Sequence, residues 1–370
     1  MSNTFVTLKE IARAALPHLI DNLVFPRLVH DDFSEAYAAK QGDTVQVRKP
    51  VNYTAKEFDA ENGVEVQNLC EESVEVKLDK IATVDIEVSA IDGALNFDSI
   101  ERLFIKPAAI ALAEKVNADG LALYKDVYQS LGEGGKTPST LGELSAVRGA
   151  LNAAKAPQSP RYAVWDTAAD TAFATVDALV NAEKSGSTDA LREGAIGKVF
   201  GIENYMSQAV KKHESAITAS EGVKVAAAVT EGADTLSLKG TTLAGKLVKG
   251  DLLKIGGDSY TVTEDSSAAA SNAISGIKVA PALKAIAKDT DVTLVGSHTA
   301  NLAFHPSAFA FVSRPLAAPA GVESYVTNFD GISLRVVRGY DMKHKKEMLS
   351  MDVLYAYKTV YPELAVRCLG

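Results

Sequence analysis

Sulfur, long apolar runs and positive charge are all scarce in this chain. Cys70 and Cys368 are its only cysteines in 370 residues. That excludes a disulfide framework and leaves either one bridge or two thiols, with free thiols the expectation. No apolar run approaches the roughly 20 residues that span a bilayer. The opening Met1-Ser2-Asn3-Thr4-Phe5 lacks the basic start and apolar core of a signal peptide. The chain therefore reads as one made in, and first working in, a cytoplasm, with no membrane partner. A net charge of −9 argues against a surface that grips nucleic acid all over and leaves room for local basic patches.

Chemical motifs are missing too. Ser130-Leu131-Gly132-Glu133-Gly134-Gly135-Lys136-Thr137 ends like a phosphate-binding loop. Its first glycine is a serine, it follows a helical pattern, and Pro138 stops a helix from starting. It reads as a flexible glycine loop. No Gly-x-Ser-x-Gly elbow is present. Ser275-Gly276-Ile277-Lys278 matches Ser-x-x-Lys by chance, without a partner motif. The six histidines, at 18, 30, 213, 298, 305 and 344, form no His-x-x-x-His pair and none adjoins a cysteine, which speaks against zinc. His30-Asp31-Asp32 reads as a solvated turn. Glu71-Glu72 and Asp85/Glu87 read as a solvated sheet face. The expectation is a protein that is not an enzyme and carries no cofactor or metal. A hydrolase with an unfamiliar site is the weaker alternative.

What is present is an order of elements. A hydrophobic fraction of 47% and a charged fraction of 23% are those of a globular protein large enough for two or three domains. Leu8 to Leu28 has helical spacing, with Pro17 expected to break or kink it. Gly42-Asp43-Thr44 opens an alternating strand, Val45-Gln46-Val47-Arg48. The return strand, Val74 to Leu78, alternates likewise and resumes at Val84 to Val88. A two-stranded ribbon with so polar an arm is marginal alone, which points to assembly. One long helix is expected from about Ser99 to Leu131, with Asp98 as N-cap and Glu101 closing a capping box. It would be roughly 50 Å long, with Pro107 as a bend. Helices at 141–155 and 168–184 flank a strand, Tyr162-Ala163-Val164-Trp165. A short strand follows at Ile202 to Met206.

Near Thr218 the composition changes. Tyr260 is the only aromatic residue between Tyr205 and Phe304. Thr235-Leu236-Ser237-Leu238, Leu252-Leu253-Lys254-Ile255 and Tyr260-Thr261-Val262-Thr263 alternate with Gly, Asp and Ser, as in a small antiparallel β barrel. The earlier style returns near Ser297. A strand-rich end, 331–369, contains a basic turn, Lys343-His344-Lys345-Lys346. That turn and Lys211-Lys212-His213 are candidates to face nucleic acid, with Lys211, Lys212, Lys343, Lys345 and Lys346 the relevant side chains. In the hairpin arm, Arg48, Lys49 and Lys56 share a region with Glu57, Asp59, Glu61, Glu71 and Glu72, all candidates for charge pairs to an adjacent subunit.

This order resembles the major capsid protein of tailed bacteriophages, the fold named after phage Hong Kong 97. It looks most like coat proteins of the short-tailed Salmonella-phage type, which carry an inserted β domain. The segments behind the likeness are Gly42-Asp43-Thr44-Val45, Ser99 to Leu131, Leu191 to Ile202, Lys249-Gly250-Asp251-Leu252 through Gly257, and Asn301 to Phe309. The resemblance implies an α+β fold. Its parts would be an N-terminal arm (1–33), a peripheral domain (34–139 and 329–370) holding an extended loop (about 45–80) and a spine helix (about 99–131), an axial domain (140–217 and 298–328), and an inserted β barrel (218–297). It also implies many copies closing into an icosahedral shell around double-stranded DNA, with scaffolding and portal proteins as partners. The location would be the virion capsid, assembled in the host bacterial cytoplasm. No lysine-asparagine pairing for crosslinking is visible, so a noncovalent shell is expected. A cellular nanocompartment shell of the same fold is the alternative within that family.

Overall fold

The computed structural model describes residues 8–30, 42–48, 73–87, 101–181, 183, 192, 194–329, 331–341 and 346–370. The chain divides into two units. One takes in 1–20, 31–112 and 310–360, and the other 21–30, 113–309 and 361–370.

In the first unit the alternation of the hairpin strands is realised as Thr44–Arg48 and Ser73–Lys77, antiparallel and in register from Thr44↔Lys77 to Arg48↔Ser73. Its inward residues, Val47 and Val76, join Leu78, Ala310, Val312, Leu316, Leu354 and Ala356 in one apolar cluster. The ribbon is thus anchored by one face, as period-two strands require. A second sheet is built on the 14-residue strand Lys346–Thr359. That strand pairs with Lys80–Glu87 and with Ile332–Asp341, and Glu323–Phe329 forms the outer edge. Inside this sheet Arg335 forms a forked ion pair with Asp352, and its Nη1 also donates to the Ala317 carbonyl at 2.8 Å.

The N-terminal helix, Leu8–Asn22, is continuous through Pro17. Of the expected break or kink there, a break is not seen. Seven apolar residues of the helix, among them Leu16, Leu19 and Ile20 on either side of the proline, are buried, and that packing outweighs the one lost backbone bond. Pro26 instead sits at the start of a separate 3-10 turn, Phe25–Leu28.

The long helix ends earlier than the sequence suggests. Within the described residues it is a π turn over Glu101–Ile105, becomes α over Lys106–Leu121 and tightens to 3-10 over Ala122–Asp126. The change from π to α falls beside Pro107, which has no N–H for the i−4 carbonyl, so the hydrogen-bond register is free to shift there. Leu131, the expected end, lies instead in the short strand Ser130–Leu131. The proposed cap Asp98 is outside the described residues.

The second unit is organised on a mixed seven-stranded sheet. Its order is Ser130–Leu131, Ala365–Leu369, His298–Phe304, Tyr162–Trp165, Ile202–Met206, Lys198–Val199, with Lys212–His213 on the start of His298–Phe304. Leu302 lies opposite Val164 on one side and Arg367 on the other. Helix Leu141–Ala153 packs Leu144, Val147 and Leu151 into a core with Trp165, Phe173 and Val366. A capping box of Thr140 and Glu143 starts it. The helix expected over 168–184 is two pieces, Thr167–Phe173 and Asp177–Val180.

Residues 217–294 of the same unit have a core of their own. Six strands lie in the order Lys224–Val225, Thr235–Lys239, Ala273–Ala280, Asp258–Val262, Leu252–Ile255, Val292–Leu294. The two outermost strands are joined by the bridge Lys224↔Asp291, by Val225 N–H to the Thr290 carbonyl at 2.9 Å, and by Val292 N–H to the Val223 carbonyl at 2.9 Å. Leu236, Leu238, Leu253, Ile255, Tyr260 and Val262 fill the interior with Ile274, Ile277 and Val279. Leu252, also buried, is not among that cluster's members.

Candidate functional site

Where residues 217–294 meet the seven-stranded sheet, the contact is polar and sealed. The 3-10 turn at Ala122–Asp126 brings Tyr124 inward. The strand Lys212–His213 supplies His213, the first residue of His298–Phe304 supplies His298, and the last strand supplies Arg367. From the other side comes the loop before Leu252, carrying Gly250 and Asp251. All five side chains are buried, Arg367 completely.

Asp251 accepts from His213 Nε2 at 2.8 Å and from the Val248 amide at 2.7 Å. A carboxylate only accepts, so Nε2 of His213 carries hydrogen. With a neutral ring, Nδ1 is then an acceptor, and the Tyr124 hydroxyl at 3.0 Å donates to it. The rings of Tyr124 and His213 meet edge-on with centroids 5.6 Å apart. Burial pushes the Tyr124 hydroxyl above its ordinary value. That is the reverse of what activation as a nucleophile would need.

Arg367 fills the rest of the junction. Nη1 donates to the Gly250 carbonyl at 2.7 Å, and Nη2 donates to the carbonyls of Val127, at 2.9 Å, and Tyr124. Its guanidinium lies 5.0 Å from the Tyr124 ring centroid, a cation–π contact. Burial lowers its pKa to about 9, while Tyr124, Asp251 and Asp126 act the other way. Tyr124 and Val127 stand at the C-terminal end of the long helix, where the Tyr124 carbonyl also accepts from the Val127 amide at 3.0 Å, so Arg367 caps that end as a further donor.

Gly250 must be glycine. Its φ is +100°, and a Cβ there would sit 2.8 Å from Lys125 Cγ and 3.3 Å from His213 Cε1. Around the junction, Thr261 Oγ1 donates to the Lys125 carbonyl at 2.8 Å, and Lys249 pairs with Asp126 at 3.2 Å.

His298 completes the group. Nδ1 lies 2.8 Å from the Gly296 carbonyl and so carries the hydrogen, which leaves Nε2 as an acceptor 3.5 Å from Arg367 Nη1. Burial lowers the His298 pKa to about 4, and Arg367 and His213 push the same way.

Of these five the sequence named only His213, and that within the basic group Lys211-Lys212-His213 as a candidate for DNA contact. His213 and His298 are visible as histidines, but their side-chain partners are 38, 69 and 89 residues away along the chain. Spacing motifs cannot detect such a group. The other candidates that were named fall elsewhere. Lys49, Lys56, Glu57, Asp59, Glu61, Glu71 and Glu72, with the turn residues Lys343 and Lys345, lie outside the described residues. So does the side chain of Arg48, whose backbone ends the first hairpin strand. Lys211 and Lys212 are exposed, next to buried His213. Lys346 is exposed and pairs with Glu87 at 2.8 Å. Pro107 is exposed at the second residue of the α segment. Cys368 is a free, buried thiol whose pKa burial raises to about 12. Among the described residues no group of three or more His, Cys, Asp or Glu is placed to hold a metal ion. No described helix is long and apolar enough to cross a membrane.

No family model and no curated protein matches this chain. Solved structures do. A chain of Mycobacterium phage Che8 superposes with a TM-score of 0.50 at 16% identity, over 94% of this chain and 90% of that one. The mature capsid of bacteriophage PhiM1 gives 0.46 at 10% identity, over 100% and 89%. The capsid of a native GTA particle gives 0.46 at 8% identity, over 100% and 93%. At 16% identity the likeness to the Mycobacterium phage Che8 chain is one of fold, a mixed α and β chain similar along nearly its whole length.

Proposed function

We propose that this chain is the major capsid protein of a tailed bacteriophage, which assembles in many copies into an icosahedral shell around double-stranded DNA. The observation that carries the reading is the fold that 94% of this chain shares with the Mycobacterium phage Che8 chain. The hairpin supports it, because one face of the ribbon is anchored and the other is left for a neighbour. Burial and a raised Tyr124 pKa at the polar junction favour a structural role over catalysis.

In this reading residues 218–297 are an inserted β barrel of the short-tailed Salmonella-phage type. The closure between Lys224 and Asp291 and the separate apolar core support that assignment. Scaffolding and portal proteins are the implied partners, and DNA contact is non-specific. Sedimentation of the full chain, alone and with a co-expressed scaffolding protein, tests the reading. Large closed particles are expected. A sharp monomer boundary at high concentration under every condition overturns it.

A further inference from the structure

His298 is neutral inside a junction that already holds a cation. Its Nδ1 carries the hydrogen given to Gly296, so an added proton has only Nε2 to occupy. That atom faces Arg367 Nη1 at 3.5 Å, itself a donor, and the His213 ring lies 5.2 Å away, centroid to centroid. The charged and titratable groups around it are few. The glycine loop, where a Cβ at Gly134 would lie 3.4 Å from His298 Cβ, offers Glu133 and Lys136, both exposed to solvent. The 3-10 turn offers Tyr124, Lys125 and Asp126. The strand Lys212–His213 offers both its residues. The loop before Leu252 offers Lys249 and Asp251, and the last strand offers Arg367. Asp251 is engaged by His213 and the Val248 amide, and Asp126 by Lys249. No carboxylate is left to balance a second buried cation, which makes that cation costly.

The seam is otherwise held by hydrogen bonds, including Arg367 to Gly250, His213 to Asp251 and Thr261 to Lys125, and by the partly exposed Lys249–Asp126 ion pair. Residues 217–294 keep their own apolar core. They can therefore loosen as a body without unfolding.

We propose that this junction is an acid-sensitive latch, in which protonation of His298 at Nε2 releases residues 217–294 from the strand that carries Arg367. The sign follows from the pKa of about 4. A free histidine titrates near 6.5, so the closed junction resists protonation and the open one accepts it. The closed form is favoured fully above about pH 6.5 and loses ground as the pH falls towards about 4.

The test places spin labels at Ser145→Cys, exposed on helix Leu141–Ala153, and Ser267→Cys, exposed within residues 217–294, in the full chain with Cys70→Ser. Cys368 is buried and takes no label. Electron-spin distance measurements should give one narrow distribution at about pH 7.5 that broadens between about pH 6 and pH 4. Trp165, packed 4.9 Å from Phe173 in the sheet core, should keep its near-ultraviolet signal throughout. His298→Gln, with His298→Asn as the second variant, should stay narrow to about pH 4. Asp251→Asn should be broad already at neutral pH. A distribution that stays narrow to about pH 4 overturns the proposal. So does broadening that coincides with loss of the Trp165 signal, or a His298 variant that broadens like the parent. If both His298 variants unfold at neutral pH, the parent titration decides by the same two readouts.

Discussion

Arg367 and Gly250 stand 117 residues apart in the chain and meet at 2.7 Å, guanidinium to carbonyl. The last strand is thereby tied to a loop in the middle of the sequence and to the end of the long helix. Arg367→Met keeps the length of the stem but takes the guanidinium donor from the carbonyls of Gly250 and Val127, and leaves Tyr124's with the Val127 amide alone. It also leaves Asp251 without a buried cation nearby. Breaking such a group costs about 3–5 kcal/mol. Arg367→Lys should recover less than half of this, since an ammonium cannot reproduce the fork. Urea denaturation of the unassembled subunit measures both.

Gly250→Ala should destabilise by about 1–3 kcal/mol, through the left-handed backbone and the approach to Lys125 and His213. Ala at Gly257, which also has positive φ but nothing within 4 Å of an added Cβ, should cost about 1 kcal/mol. Thermal melts of the two variants separate crowding from backbone preference. Equal losses would mean that contact at Gly250 is unimportant.

The strands were largely legible in the sequence, the junction was not. Leu252–Ile255 and Ile202–Met206 match the sequence reading to the residue, the first burying Leu252, Leu253 and Ile255 and the second fully burying only Ile202. The long helix was read too far because apolar spacing continues through Tyr124 and Val127. Those residues are apolar for another reason, since they enter the junction, where the carbonyls bond to Arg367 instead of a further helical turn. Pro17 misled in the opposite direction, since local preference yielded to burial. The polar junction has no sequence signature because it is assembled from five distant elements.

Charge reversal at Arg48 or Lys49 should leave a soluble, folded subunit that assembles poorly or into aberrant particles. Circular dichroism checks the fold and sedimentation the assembly. Normal assembly would remove the hairpin arm as an electrostatic contact.

DNA binding should be weak, indifferent to sequence and steeply dependent on salt. Neutralising Lys211 and Lys212 should reduce the slope of log affinity against log salt by about 2, close to one per phosphate contact. Neutralising Lys346 alone should change it less, because Glu87 already holds that ammonium. Filter binding across a salt series reads the slopes, and an unchanged slope for the first pair would place it away from DNA.

Residues 215–296, expressed alone, should retain slowly exchanging amides in the strands around Leu236, Leu253, Tyr260 and Val262, which share one core. The loop at Gly250 and Asp251, having lost Arg367 and His213, should exchange faster than in the full chain, although its amides keep the Val262 and Val248 carbonyls as partners. A fragment without protected amides would show that the core depends on the sheet it is docked to.

Electron cryomicroscopy of the full chain expressed with a scaffolding protein is the most direct test of the shell reading. Closed icosahedral particles, with density for the hairpin lying on a neighbouring subunit, are the predicted result. Fields containing only monomers or small open oligomers at every salt concentration and pH would contradict it.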